Sequence, residues 1–413
     1  MIGHDERAIG GHTPWWLKGM ILVLAALAAL SAGQGCRTAL SPGGSLDFGL
    51  TLKAAEILLH ANPYRADIGR ALAQVAAGPA PGLAPDANPY PAIALQAPSA
   101  LALLWPLVPL SWPAARLVWL IAKLGFTAGT LALACRRYLP GRSRWTYAAL
   151  ASLLLISFPW RVAIGNGQHV MAALFFFLLA AELADRGHRA WAGVALAASF
   201  VKYSMSLFLL PLLVAKRQWG PLVVAITIHG LATLAIAARL HENPLALVAQ
   251  SLAASGTQLP SGYIDLFALA HAARLPALVA GVTAAALAAA SVGVAAARRL
   301  PEPALLTLLC LLSLVAVYHR LYDLVVLVIP LIIVAGGMRD RWLQALIGTA
   351  IALGWFASRV LLWLPWPAAI PLNRLGVAVA VYGALGLLLV RSMSPRSAAP
   401  MLIHGSSAKA IVT

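Results

Sequence analysis

Long apolar stretches separated by short polar breaks run through the chain from Met20 to Val390. Runs of roughly 18 residues or more are long enough to cross a hydrocarbon core of about 30 Å as helices. The breaks between them predict helices over 15–33, 113–134, 145–160, 169–184, 189–201, 204–215, 219–238, 276–297, 303–318, 323–338, 342–361 and 374–391. The expected fold class is therefore an all-α polytopic membrane protein with about twelve transmembrane helices. Residues 34–90 break the pattern. They are polar, rich in Pro, Gly and Asp, and include the run Gly78-Pro79-Ala80-Pro81-Gly82.

Basic residues decide the ambiguous stretches. They gather in short clusters between apolar runs: Arg136, Arg137, Arg142 and Arg144; Arg186 and Arg189; Lys216 and Arg217; Arg298 and Arg299; Arg339 and Arg341. Such clusters mark cytoplasmic loops, and Arg7 and Lys18 place the N-terminus on the same side. If 92–110 crossed the membrane, the cluster at 136–144 would fall outside. The run, interrupted by Pro98, Pro106 and Pro109, is therefore expected to lie along the outer surface. One straight helix over 190–215 would bury Lys202 at mid-bilayer, at about 2.5–3.5 kcal/mol. Two short helices meeting near Lys202 put the lysine at the outer surface and every later cluster inside. A single domain over 1–391 results, with residues 34–112 as a first periplasmic loop bearing juxtamembrane helices, an amphipathic piece near 263–273, and a disordered cytoplasmic tail over 392–413. The expected location is the bacterial inner membrane, crossed many times.

Composition agrees: 61% of the 413 residues are hydrophobic, only 10% are charged, and the mean hydropathy is +0.83. Soluble domains carry roughly 25% charged residues. The net charge of +17 is dispersed in the loop clusters rather than gathered in one basic face, which argues against nucleic acid as a partner. Cys36, Cys135 and Cys310 lie far apart and form no zinc spacing. Gly33-Gln34-Gly35-Cys36 lacks the leucine of a lipoprotein cleavage site, so the first helix is expected to be retained.

Acidic residues are scarce, and Asp47, Glu56, Asp67, Asp86, Glu242, Asp265 and Asp323 are all expected to face outward. Asp47 stands at a glycine-to-helix junction, Gly43-Gly44-Ser45-Leu46-Asp47-Phe48. The helix that follows sets Leu50, Ala54, Ile57 and Leu58 opposite Lys53, Glu56 and His60, an interfacial pattern, and ends at Asn62-Pro63-Tyr64. Asp47 is either a reactive carboxylate or a charge at a helix N-terminus. Gly165-Asn166-Gly167-Gln168-His169 is a short polar loop suited to a polar ligand, or a plain turn capped by Asn166. Lys202, between apolar half-helices, needs an anionic partner or water, or snorkels to lipid phosphate. In Tyr318-His319-Arg320-Leu321-Tyr322-Asp323 the His-Arg pair suits a phosphate, or Arg320 simply pairs with Asp323. Together one carboxylate, one polar loop and several cations on one face fit transfer from a lipid-linked phosphate: cations hold the leaving group and a carboxylate takes the acceptor's proton.

These residues bring the chain close to a known family. Leu46-Asp47-Phe48, Ala54-Ala55-Glu56-Ile57-Leu58-Leu59, Asn62-Pro63-Tyr64, Tyr90-Pro91 with Pro98, Gly165-Asn166-Gly167-Gln168, Ala192-Gly193-Val194, Phe200-Val201-Lys202 and Tyr318-His319-Arg320 occur in order. In these the chain resembles glycosyltransferase family 87 of the GT-C superfamily, membrane transferases that use polyprenyl-phosphate sugars, typically mannose. Tyr203 after the lysine and His169 after Gln168 depart from the family's usual residues. The resemblance implies a GT-C fold and a periplasmic active site, with Asp47 as the catalytic base of an inverting transfer. It makes Lys202, His319 and Arg320 candidates for the donor phosphate, and Asn166, Gln168, His169, Tyr64 and Glu56 candidates for substrate contact. The partners implied are a polyprenyl-phosphate sugar, a glycolipid or glycan acceptor and membrane lipid. No second carboxylate stands in a matching motif, so no metal or other cofactor is expected.

Two other classes share these features. A twelve-helix secondary transporter would show a half-to-half repeat, which the sequence lacks, and would place its ionisable groups near mid-membrane, whereas the candidate residues lie at one edge. A non-catalytic lipid-binding or assembly protein would not need Asp47.

Overall fold

The computed structural model describes residues 14–64, 96–256, 262–297, 300–317, 319–357, 360 and 369–393. The expectations for Asp67, Asp86, Tyr90-Pro91, the 78–82 run, residues 92–95, Arg298, Arg299, Tyr318 and the tail from 394 lie outside them. The described residues contain no strand. Among them, six helices are long and apolar enough to cross a membrane, or seven when one bent pair is taken as a single span. The chain is a multi-pass helical membrane protein.

The first helix, α1 (Trp15–Leu40), runs seven residues beyond its expected end, until the turn at Ser41 stops it. Gln34, Arg37 and Thr38 are thereby helical rather than part of a polar loop. α2 (Leu46–Leu58) follows the junction as expected. Residues 98–110 form no long helix: they make α3 (Pro98–Ala102) and a 3-10 turn over Trp105–Leu107, broken at the prolines. α4 (Trp112–Tyr138) is long and apolar enough to span a membrane.

α5 (Arg144–Ile156) and α6 (Phe158–Asn166) form the bent pair, kinked by 61°. The kink falls at Ser157, whose hydroxyl accepts the Trp160 N–H at 3.3 Å, with Pro159 in the first turn of α6. The polar loop expected after residue 160 is thus mostly helix. Only Gly167 and the residues after it form the turn into α7 (Val170–Asp185).

α8 (Arg189–Ser199), a 3-10 turn over Phe200–Lys202, α9 (Tyr203–Leu209) and α10 (Pro211–Ala215) then make a two-way excursion. Length and hydropathy alone read 189–209 as one span, but the side chains show a reversal. Ser206 Oγ donates to the Ser199 carbonyl at 2.6 Å, a contact no continuous helix permits seven residues apart. Lys216 then returns to Asp185 at 2.6 Å. Lys202 sits at the far tip, with φ −130° and ψ 77°.

The remaining elements are α11 (Trp219–Leu240), α12 (Pro244–Gly256), α13 (Leu266–Ala272), α14 (Ala277–Ala296), α15 (Glu302–Ala316), a 3-10 segment over Leu321–Leu327 running into α16 (Val328–Ala335), α17 (Arg341–Ile351), a π-helical stretch over Ala352–Ala357, and α18 (Ala369–Met393). The short α12 was not foreseen in the sequence.

Two polar ends frame the bundle. At one, Arg136 pairs with Glu182 at 2.9 Å, Arg137 with Asp185 and Glu302 at 2.5 Å each, and Lys216 with Asp185 and with Glu302 at 3.0 Å. Arg186 also reaches Glu182, at 2.8 Å, so three of the basic clusters meet at a single end. Trp119, eighteen residues earlier on α4, touches the other polar end, about 27 Å away at 1.5 Å per helical residue.

Candidate functional site

The far end of α4 holds α6 in place. Trp119, Lys123 and Thr127 recur every four residues and share one helix face. Trp119 Nε1 donates to the Gly167 carbonyl at 2.9 Å, Lys123 Nζ donates to the Ile164 carbonyl at 2.5 Å, and Thr127 Oγ1 accepts from Trp160 Nε1 at 3.2 Å. Lys123, 1% exposed, thus caps the C-terminal end of α6, where a cation suits the helix dipole. The sequence signal was there, a lysine inside an apolar helix, but Lys123 was not among the expected site residues.

α6 closes with a Schellman turn: Gln168 N–H reaches the Ala163 carbonyl at 2.9 Å and Gly167 N–H the Ile164 carbonyl at 3.3 Å. Gly167 has φ +77°, and a Cβ there would lie 2.5 Å from Phe48 Cβ. Only glycine allows the left-handed turn and the approach of α2 together. Gly167→Ala is accordingly expected to cost more than about 1 kcal/mol and to impair activity. Thermal unfolding in detergent checks it, and an unchanged midpoint would show that the turn is not needed.

α2 is seated by the same group of residues. Phe48, fully buried, stacks on Trp112 and Trp119 with ring centroids 5.9 and 5.1 Å away. Ser45, at φ +56°, donates its N–H to the Gly165 carbonyl at 2.8 Å. Between these anchors Asp47 turns toward α6, and its Oδ2 accepts a short hydrogen bond from Gln168 Nε2. Burial pushes the Asp47 carboxyl above the usual carboxylate range. The Gln168 bond and the charges of Arg320 and Lys202 pull it back down.

The second half of the site comes from the tip at Lys202 and from the segment after α15. Lys202 Nζ meets Asp323 Oδ1 at 2.8 Å, and lies 5.4 Å from the Tyr322 ring centroid. Asp323 Oδ2 takes His319 Nδ1 at 3.0 Å and the Arg320 N–H at 3.1 Å. Asp323 is therefore the hub that the Lys202 ammonium, the His319 ring and the Arg320 backbone share, and not a partner of Arg320 alone. His319, 1% exposed, has no partner for Nε2 among the described residues.

A second carboxylate braces this segment from behind. Asp265 caps α13 through the Ala268 N–H at 3.0 Å and accepts from the His319 N–H at 3.4 Å. It is buried, and burial raises its carboxyl above the ordinary range. Arg374, at the start of α18, donates to the carbonyls of Gly262 and Tyr263 at 3.0 and 2.8 Å. Its guanidinium and that of Arg320 line a cavity of about 390 Å³ with Asn166, Gly262, Tyr263, Leu321 and Tyr322. Arg374 was missed because it stands at the first residue of an expected helix and reads as an edge charge.

The structure thus brings Asp47, Gln168, Lys202, His319 and Arg320 together, with Asn166 on the cavity wall. His169 adjoins them, 3% exposed, its ring 5.0 Å from that of Trp119. Tyr64 stands farther out, its hydroxyl donating to the Gln96 carbonyl at 2.6 Å. Glu56 is not joined to the group. Nine residues from Asp47 it falls about 180° round α2, where it forms an exposed pair with Lys53 at 3.0 Å. Among the described residues no three His, Cys, Asp or Glu side chains are grouped so as to hold a metal ion.

A multi-pass membrane protein with a half-buried carboxylate set among the charges of Arg320 and Lys202 at one end of its bundle is the class that fold and site define. The profile of glycosyltransferase family 87 matches residues 95–330, more than half of the 413-residue chain, and the chain belongs to that family. It is a membrane glycosyltransferase, with a sugar donor and an acceptor as substrates. The match includes Asn166, Gln168, Lys202, His319 and Arg320 and begins after Asp47. No curated protein and no solved structure matches the chain.

Proposed function

We propose that the chain moves a sugar, mannose by family resemblance, from a polyprenyl-phosphate donor to an acceptor hydroxyl with inversion, without a metal, in the bacterial inner membrane. In this reading the chain crosses about twelve times in the GT-C manner, and the site lies on the periplasmic side, opposite the Arg137 end. The observation that carries this reading is the meeting of Asp47, held by Gln168, with the charges of Arg320 and Lys202. In the proposed step the Asp47 carboxylate takes the acceptor's proton and the acceptor oxygen bonds to the anomeric carbon. The bond from that carbon to the phosphate oxygen breaks, and the phosphate leaves with the electron pair. Arg320, whose side chain lines the cavity, is the first choice for holding that phosphate. His319 can add a hydrogen bond as an imidazolium, its Nδ1–H given to Asp323 and its Nε2–H to the phosphate. Lys202, tied to Asp323, contributes chiefly through its field.

The test is a panel of radiolabelled polyprenyl-phosphate sugars incubated with purified protein and membrane extract. Labelling of a membrane component from one of these donors is expected. Transfer from a nucleotide sugar, with none from any lipid donor, would overturn the proposal.

A further inference from the structure

A second cavity, of about 380 Å³, adjoins the first and is lined by Gln34, Arg37, Thr38, Arg161, Val162, Gly165 and Asn166. Its volume lies within the roughly 300–1,000 Å³ of small-molecule sites. Asn166 lines both cavities, and so stands between the Arg320–Arg374 side and the Arg37–Arg161 side.

The second cavity is built where α1 and α6 cross. Gln34, Arg37 and Thr38 share one face of α1 by their spacing. On α6, a Cβ at Gly165 would come within 3.0 Å of Thr38 Cγ2, so a missing side chain lets the two helices close below the cavity. Arg161 Nη1 donates to Gln34 Oε1 at 2.9 Å, which fixes one guanidinium at the rim, and Arg37 is exposed. Two arginines line this space, and among the described residues no carboxylate does.

Two further observations fix the class of ligand. In the topology proposed above, Arg37 and Arg161 stand on the periplasmic side, where basic residues are ordinarily scarce. Below them α1 turns Leu22, Val23, Leu27 and Leu30 outward, each 49–66% exposed, which is a track for acyl chains. Arginine pairs favour phosphate through parallel charge-assisted hydrogen bonds.

We infer that this cavity is the acceptor's anion subsite. It holds the phosphate of an anionic amphiphile whose tails lie along α1, and so presents that molecule's hydroxyl toward Asp47 across Asn166. The acceptor role rests on the transferase reading; the anion site itself does not.

The experiment uses full-length protein in neutral-lipid nanodiscs with photoreactive phosphatidic acid and, in parallel, photoreactive diacylglycerol. Phosphatidic acid should label α1 and α6 peptides, and Arg37→Gln should reduce that labelling about tenfold, the loss expected of one charge-assisted hydrogen bond. Arg37 is exposed, so its substitution leaves the packing intact, and Arg161→Lys should retain part of the labelling. Equal labelling of wild type and Arg37→Gln, or by the neutral probe, overturns the site. Displacement by millimolar inorganic phosphate with no labelling by phosphatidic acid makes it a free-anion site and overturns the lipid assignment.

In the transfer assay, unlabelled phosphatidic acid should compete with the membrane-extract acceptor. Competition with the polyprenyl-phosphate donor instead overturns the acceptor role. Asp47→Ala should label like wild type, so loss of the transferase reading would leave the binding result standing.

Discussion

Replacing Asp47 with alanine or asparagine is expected to slow sugar transfer by about 10²–10⁴-fold, the contribution of a positioned general base, without lowering the unfolding temperature. The second half of that expectation follows from the sign of the pKa shift. Burial raises the Asp47 carboxyl in the folded protein. The carboxylate therefore costs stability once the pH exceeds its unfolded value of about 3.9, and fully so above the folded value. At neutral pH Asp47→Asn should leave the unfolding midpoint unchanged or raise it, the usual mark of a residue kept for activity. The pH profile supplies a readout that a structural role would not move. A base must be ionised, so activity should fall on the acid side at a pH above the ordinary carboxylate range. Gln168→Leu removes the bond that favours the charged form and should move that limb upward again, as should Arg320→Gln. An Asp47→Ala protein that transfers sugar at the wild-type rate would end the general-base proposal.

How far the sequence could be read is clearest from particular residues. The helical spans were legible because a bilayer demands long apolar runs, and the reversal at Lys202 because a lysine cannot sit at mid-membrane unaided. Asp47, Gln168, Lys202, His319 and Arg320 could be singled out because polar residues are rare in such a chain. Their pairing could not: Asp323 as the shared hub, and Asp265 beneath His319, depend on contacts across 54 to 121 positions in sequence. Glu56 was chosen by its place in a motif, yet the helical period turns it away from Asp47. α6 was taken for a loop because Gly165 and Gly167 look like breakers. Gly165 is instead a close-packing residue within the helix, and only Gly167 supplies the turn. Lys123 and Arg374 act on backbone carbonyls, which leave no mark in the sequence.

The Lys202–Asp323 pair should reveal itself in a double-mutant cycle. Asp323→Leu strands Lys202, only 15% exposed, beside a site from which its anion has gone. Breaking a buried pair in this way costs about 3–5 kcal/mol, whereas removing both charges is often close to neutral. Lys202 keeps some solvent access and the Tyr322 ring, which places the expected loss near the lower bound. Lys202→Met alone should cost less, because His319 and the Arg320 N–H still face Asp323. The double variant should recover most of the unfolding temperature, measured at one scan rate because unfolding of such proteins is commonly irreversible. Purely additive losses would mean that the two side chains do not act as a pair. Transfer should behave differently from stability. Asp323 also fixes the ring of His319 and the backbone of Arg320, so the double variant should stay nearly inactive while it is stable again. A double variant that regained turnover along with its unfolding temperature would show that the phosphate is held without this hub. It would move the donor site toward Arg374 and the opposite wall of the cavity.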